Sequence, residues 1–220
     1  MTQTIHAVIF DLDGVLVNSE PLINAAAIAM FKEKGLLVQP EDFLPFVGAG
    51  EDRYIGGVAE KYHFLLDVSQ AKKRTYEIYL DLVPTQLEAF PGVQALVQAC
   101  RQSGLRVAVA SGTDRVKALA SLLKISLSEE TWDIVVSGEQ VKHNKPAPDI
   151  FLLTADKLGL APTACVVLED SFNGIRAAKA AGMRCVAVAQ TFPVSRLQEA
   201  DVVRNSIADV QLADLIPRDG

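Results

Sequence analysis

Cysteine is scarce in this sequence: Cys100, Cys165 and Cys185 are widely separated and form no CxxC pair. That spacing excludes a disulfide framework and a thiolate metal knuckle. It suits small buried hydrophobes in a reducing compartment. His6, His63 and His143 make no metal-ligand spacing. Runs of Lys and Arg are missing and the net charge is −6, which argues against nucleic acid as a partner, because binding a phosphate backbone needs clustered cations. Long apolar runs are missing too. The most apolar helix-like stretch, 21–31, is too short to span a bilayer. The N-terminal MTQTIHAVIF has neither a basic region nor a small-residue cleavage site, so no signal peptide is expected. These absences predict a cytoplasmic chain with no membrane partner, a monomer by default.

What is present is a globular composition: 220 residues, 50% apolar and 22% charged, enough for one α/β domain or one domain carrying an insertion. Short apolar runs at Ala7–Phe10, 106–110, 134–136, 165–168 and 185–188, with a sixth starting at 202–203, read as buried parallel strands. Helical patterns at 93–103, 114–123, 149–158 and 174–181 alternate with them, with Gly104, Gly159 and Gly182 as stops. The alternation predicts a Rossmann-like parallel sheet flanked by helices. The stretch 17–87 breaks the rhythm, with helical periodicity at 21–34, 41–47, 51–64 and 69–82 and with Pro40, Pro45 and Pro84 as punctuation. It reads as an α-helical cap domain of residues 17–87 inserted into a catalytic core of residues 1–16 and 88–220. Such a cap would close over the strand ends and exclude water.

In parallel α/β sheets ligands bind beyond the carboxyl ends of the strands. Four strand ends carry reactive groups. The first is Asp11-Leu12-Asp13-Gly14, two carboxylates two residues apart in an extended segment, where one can attack and the other can move protons; a plain strand-to-loop turn would use the same residue types. The second is Ser111-Gly112-Thr113 before a helix, suited to phosphate oxygens or to simple capping. The third is Lys145-Pro146, a cation on a stiffened loop. The fourth is Glu169-Asp170-Ser171, adjacent acids after a buried run, which need a positive partner. With Asp11 near, a divalent cation answers that need, and all-oxygen ligation favours Mg²⁺.

Together these segments resemble the haloacid dehalogenase superfamily, in its branch of β-phosphoglucomutase-like and related small-molecule phosphatases. The match runs through Asp11-Leu12-Asp13-Gly14-Val15, Val109-Ala110-Ser111-Gly112, Lys145-Pro146 with Pro148-Asp149, Leu168-Glu169-Asp170-Ser171 with Gly174-Ile175, and the run Arg176 to Met183. The resemblance implies Asp11 as nucleophile and Asp13 as general acid and base. It implies a phosphate site at Ser111, Gly112 and Lys145, and Mg²⁺ on Asp11, the Asp13 main-chain carbonyl, Glu169 and Asp170. By the same resemblance, Asp13 favours phosphate esters over carbon–halogen bonds and turnover over signalling.

The positions matching the His and Lys used by the family's mutases are Ile23 and Val47, which favours hydrolysis of a small phosphorylated metabolite over phosphoryl transfer. A non-catalytic binding module is the remaining alternative. Ser19, Glu20, Arg53, Arg115 and Asn173 are candidate substrate contacts, with the segment 48–53 as a specificity loop.

Overall fold

Strands with apolar interiors can be buried on both faces only if helices cover both faces, and that is the arrangement here. The computed structural model describes residues 4–47 and 50–216. Six parallel strands, β1 (Ala7–Phe10), β2 (Arg106–Ser111), β3 (Ile134–Ser137), β4 (Cys165–Glu169), β5 (Arg184–Val188) and β6 (Val202–Arg204), lie in the order β3-β2-β1-β4-β5-β6. Side chains alternate between two cores. Val8, Phe10, Val107 and Val109 face one core, and Ala7, Ile9, Ala108 and Ala110 the other. The first core includes α4 (Val93–Gln102) and α5 (Arg115–Lys124); the second includes α6 (Asp149–Leu158) and α7 (Phe172–Ala180). A final short helix, α8 (Leu212–Leu215), follows β6.

Between β1 and α4 the chain is helical: α1 (Glu20–Glu33), a 3-10 segment (Pro40–Phe46), α2 (Glu51–Lys61) and α3 (Val68–Gln86). The segment expected as a helix at 41–47 is a 3-10 turn: Pro40 at its first position costs no bond, but Pro45 inside it lacks the amide donor an α-helix would use. The stop expected at Pro84 is passed. Thr75, Tyr76, Tyr79 and Val83 are buried on one face of α3, and this packing carries the helix two residues beyond the proline. The chain leaves and re-enters the sheet layer along paired segments, with the Asn18 amide donating to the Glu88 carbonyl (3.1 Å) and the Phe90 amide to the Leu16 carbonyl (3.1 Å).

Register decides what meets at the carboxyl edge. Phe10 pairs with Leu168, and the Asp11 amide donates to the Leu168 carbonyl (2.9 Å), so Asp11 stands level with Glu169. On the other side Phe10 pairs with Val109, which puts Ser111 at the same edge.

Candidate active site

β1 runs straight from Phe10 into Asp11. The Asp11 carboxylate, carried beyond the last paired residue, accepts from Lys145 Nζ at 2.6 Å, and the same ammonium donates to Glu169 Oε1 at 2.6 Å. Lys145 arrives on the loop after β3, with the Phe151 ring 4.9 Å away. The other Glu169 oxygen accepts from the amides of Asp170 (2.9 Å) and Ser171 (2.7 Å) and from the Ser171 hydroxyl (2.9 Å). Ser171 also caps α7, accepting from the Gly174 amide at 3.0 Å. A Cβ on Gly174 would lie 1.7 Å from Glu169 Oε1, so only glycine fits there. Gly14 is the counterpart on the other side, with φ of +80° and an ideal Cβ 2.0 Å from Asp170 Oδ2.

Asp11, Glu169 and Asp170 each offer an oxygen within 4.8 Å of the others, all three residues being buried. Burial pushes the Asp11 carboxyl up to about 7, Lys145 pulling it down and Glu169 adding to the rise. Asp170 is pushed well up, first by burial and then by Glu169 and Asp11. Burial works against the Lys145 charge, but Asp11 and Glu169 outweigh it and hold the ammonium above its ordinary range. Three crowded carboxylates against one lysine leave an excess of negative charge. That donor set fits a hard divalent cation with oxygen ligands.

Asp13 takes a different setting. Its Oδ1 accepts from the Ser19 hydroxyl and from Lys117 Nζ, the latter at 3.0 Å. Its carboxylate is not part of the three-acid cluster.

Asp11, Asp13, Ser111, Gly112, Lys145, Glu169 and Asp170 line one cavity of about 140 Å³. The helical layer contributes Ser19, Glu20, Ile23, Val47, Gly50, Glu51 and Tyr54. The Tyr54 hydroxyl donates to Glu20 Oε1 at 3.0 Å, and burial raises the Glu20 carboxyl. Gly48 and Ala49 of the expected specificity loop lie outside the described residues.

Three candidate substrate contacts are not brought to this cavity. Arg53 projects from α2, donates to Glu60 Oε2 at 2.6 Å and covers the Phe46 ring. Arg115 pairs with Glu129 beneath β3. Asn173 sits in the first turn of α7 and is not among the described residues lining the cavity.

Sequence reasoning missed Lys117 and Glu51. Lys117 is 2% exposed and also donates to Glu51 Oε1 at 3.2 Å. Burial opposes its charge, but Asp13 and Glu51 outweigh that and keep it protonated. Two residues along an α-helix is about 200° of rotation, so α5 turns Arg115 away as it turns Lys117 inward. The signal was the stripe Ala118, Ser121 and Leu122, buried on α5 beside Lys117.

The chain is similar to known proteins along nearly its whole length. The chain is 43% identical over 217 residues to protein SUPPRESSOR OF QUENCHING 1, chloroplastic, of Arabidopsis thaliana, covering 96% of this chain and 21% of that protein, so it spans about a fifth of that relative. It is 33% identical over 220 residues to hexitol phosphatase B of Escherichia coli K12, covering 97% of this chain and 98% of that protein. The crystal structure of CbbY from Rhodobacter sphaeroides in complex with phosphate superposes with a TM-score of 0.88 at 28% identity, covering 96% of this chain and 99% of that one. Among the described residues no helix is long and apolar enough to cross a membrane. The family model for haloacid dehalogenase-like hydrolases matches residues 5–182, most of the chain, and the chain belongs to that family.

Proposed function

We propose that the protein is a Mg²⁺-dependent phosphatase that hydrolyses a small phosphomonoester, a sugar or hexitol phosphate, through an aspartyl-phosphate on Asp11. The observation that carries this reading is the division between two carboxylates in one cavity. Asp11 sits in the acidic cluster against Lys145, whereas Asp13 stands clear of it. That division supports Asp11 as the nucleophile and Asp13 as the group that handles protons.

Asp11 attacks phosphorus, the new O–P bond forms, and the bond to the ester oxygen breaks. Asp13 delivers its proton to that oxygen, and the alcohol leaves. Asp13 then takes a proton from water as the water attacks phosphorus, which frees Asp11 and releases inorganic phosphate. Ser111 and Lys145 hold the phosphoryl oxygens, and Lys145 offsets charge developing on them. Asp11, Asp170 and the Asp13 carbonyl would hold Mg²⁺, with Glu169 orienting its ligands; the ion supplies charge neutralisation for the phosphoryl group. The helical segment 17–87 acts as the cap that shuts out bulk water.

Hydrolysis is favoured over transfer to a second hydroxyl because Ile23 and Val47, both apolar, line the cap side of the cavity. The hexitol and carbohydrate phosphatases among the relatives favour the same substrate class.

The test is phosphate release from a panel of phosphorylated metabolites with Mg²⁺ and with EDTA. Release is expected only with the metal, and Asp11→Asn should lose it by roughly a thousandfold or more. Metal-independent release, or an active Asp11→Asn, sinks the reading. Glucose 6-phosphate accumulating from β-glucose 1-phosphate ahead of free phosphate would point to transfer instead.

A further inference from the structure

Lysine is rarely enclosed unless something pairs with it. Lys117 is enclosed at a junction of three parts of the molecule. It belongs to α5 of the sheet layer, it donates to Asp13 at the end of β1 (3.0 Å), and it donates to Glu51 in the first turn of α2 in the helical layer (3.2 Å). Below it lies the Tyr79 ring of α3, 5.3 Å from the ammonium.

Glu51 is secured at the same oxygen. The Thr113 hydroxyl donates to Glu51 Oε1 at 2.9 Å, and the Tyr76 hydroxyl lies 3.3 Å from Thr113 Oγ1. Glu51 is thus one of several polar links between the helical and sheet layers, beside Tyr79 with Ser121 and Lys72 with Asp114, and the cation receiving its carboxylate also holds Asp13.

We infer that Lys117 is a positioning residue for the phosphoryl-transfer step, aiming the Asp13 carboxyl at the leaving oxygen and coupling that aim to the seating of the helical layer through Glu51. The inference rests on the phosphatase reading above and adds a residue to it. Its physical ground is that proton delivery needs hydrogen-bond distance between acid and leaving oxygen. Without the ammonium, the Asp13 side chain keeps the Ser19 hydroxyl as its one described partner, and the Asp13 and Glu51 carboxylates lose the charge between them. Lys117 acts through Asp13 and touches neither the phosphoryl group nor the leaving oxygen in this scheme.

Leaving-group chemistry separates positioning from mere folding support. p-Nitrophenolate departs without a proton; phenolate is far more basic and needs one, while the two esters have nearly the same shape. The value of kcat/KM covers only the steps up to departure of that group. The experiment measures kcat/KM with Mg²⁺ for p-nitrophenyl phosphate and phenyl phosphate on wild type, Lys117→Met, Asp13→Asn and the double variant. Lys117→Met is expected to lose roughly tenfold or more on phenyl phosphate beyond its loss on the nitrophenyl ester, a fraction of what a general acid contributes. Asp13→Asn should show the same skew, and the double variant no further skew. Equal losses on both esters in Lys117→Met overturn the inference while leaving the phosphatase reading standing.

If Lys117→Met does not fold, Glu51→Gln decides. It should raise KM for both esters more than it lowers kcat, and an unchanged KM overturns the coupling. A wild-type enzyme that hydrolyses neither ester overturns the phosphatase reading and this inference with it.

Discussion

Asp11 and Asp13 lie two residues apart, yet each faces its own lysine: Lys145 for the first, Lys117 for the second. An aspartyl-phosphate mechanism asks these carboxylates to act at different moments, and the separation of their partners allows that. Asp13→Asn tests the order of events. With p-nitrophenyl phosphate the leaving group needs no proton, so Asp11 is still expected to be phosphorylated, whereas hydrolysis of the phospho-enzyme lacks its base. A rapid burst of about one equivalent of nitrophenolate followed by slow turnover is the expected trace in stopped flow. A linear trace at the wild-type rate would remove Asp13 from the second half-reaction.

At the scale of elements, the β4–α7 junction holds the acidic cluster in shape. Glu169 leaves the strand, accepts the next two amides, and meets the start of α7 at a point where Gly174 leaves it room. Gly174→Ala places a methyl group 1.7 Å from Glu169 Oε1, so the carboxylate or the helix must move. The expected cost is about 1–3 kcal/mol from overpacking, read as a lower urea midpoint. Weaker Mg²⁺ dependence of activity should accompany it. A variant with wild-type stability and metal response would show that Glu169 does not need its present place.

For the whole molecule, the crowded carboxylates link stability to pH and metal. Asp11 titrates near 7 in the folded protein against an ordinary 3.8. The folded state therefore holds a proton that the unfolded chain releases between those values, and this group's contribution to stability falls as pH rises from about 4 to about 7. Asp170, also raised, acts in the same direction. A divalent cation takes the proton's place above that window. Mg²⁺ at about a hundred times its dissociation constant is expected to add about 2.7 kcal/mol, roughly 5–11 °C in melting temperature for a chain of this size. The gain should be larger at pH 8 than at pH 5, where protons compete for the carboxylates. Equal shifts at the two pH values in thermal melts would show that the cation binds elsewhere.

The apolar runs that became β1, β2, β4 and β5 were legible because a strand covered on both faces has almost no polar positions. The reactive residues at their ends were legible because such a sheet presents its ligands at that edge. The helical character of 17–87 could be read from periodicity, but Pro84 misled: packing of Tyr76, Tyr79 and Val83 outweighed a local helix breaker.

By itself the sequence determined which polar residues stand at the strand ends and line one cavity: Asp11, Asp13, Ser111, Lys145, Glu169 and Asp170. Only the tertiary structure decided that Lys117 and not Arg115 enters the site, that Glu51 rather than Arg53 meets it from α2, and that Asp13 and the helical layer share one cation. Those choices depend on the rotational phase of α5 and α2 and on contacts between segments far apart in the chain, and neither is set by local residue preference.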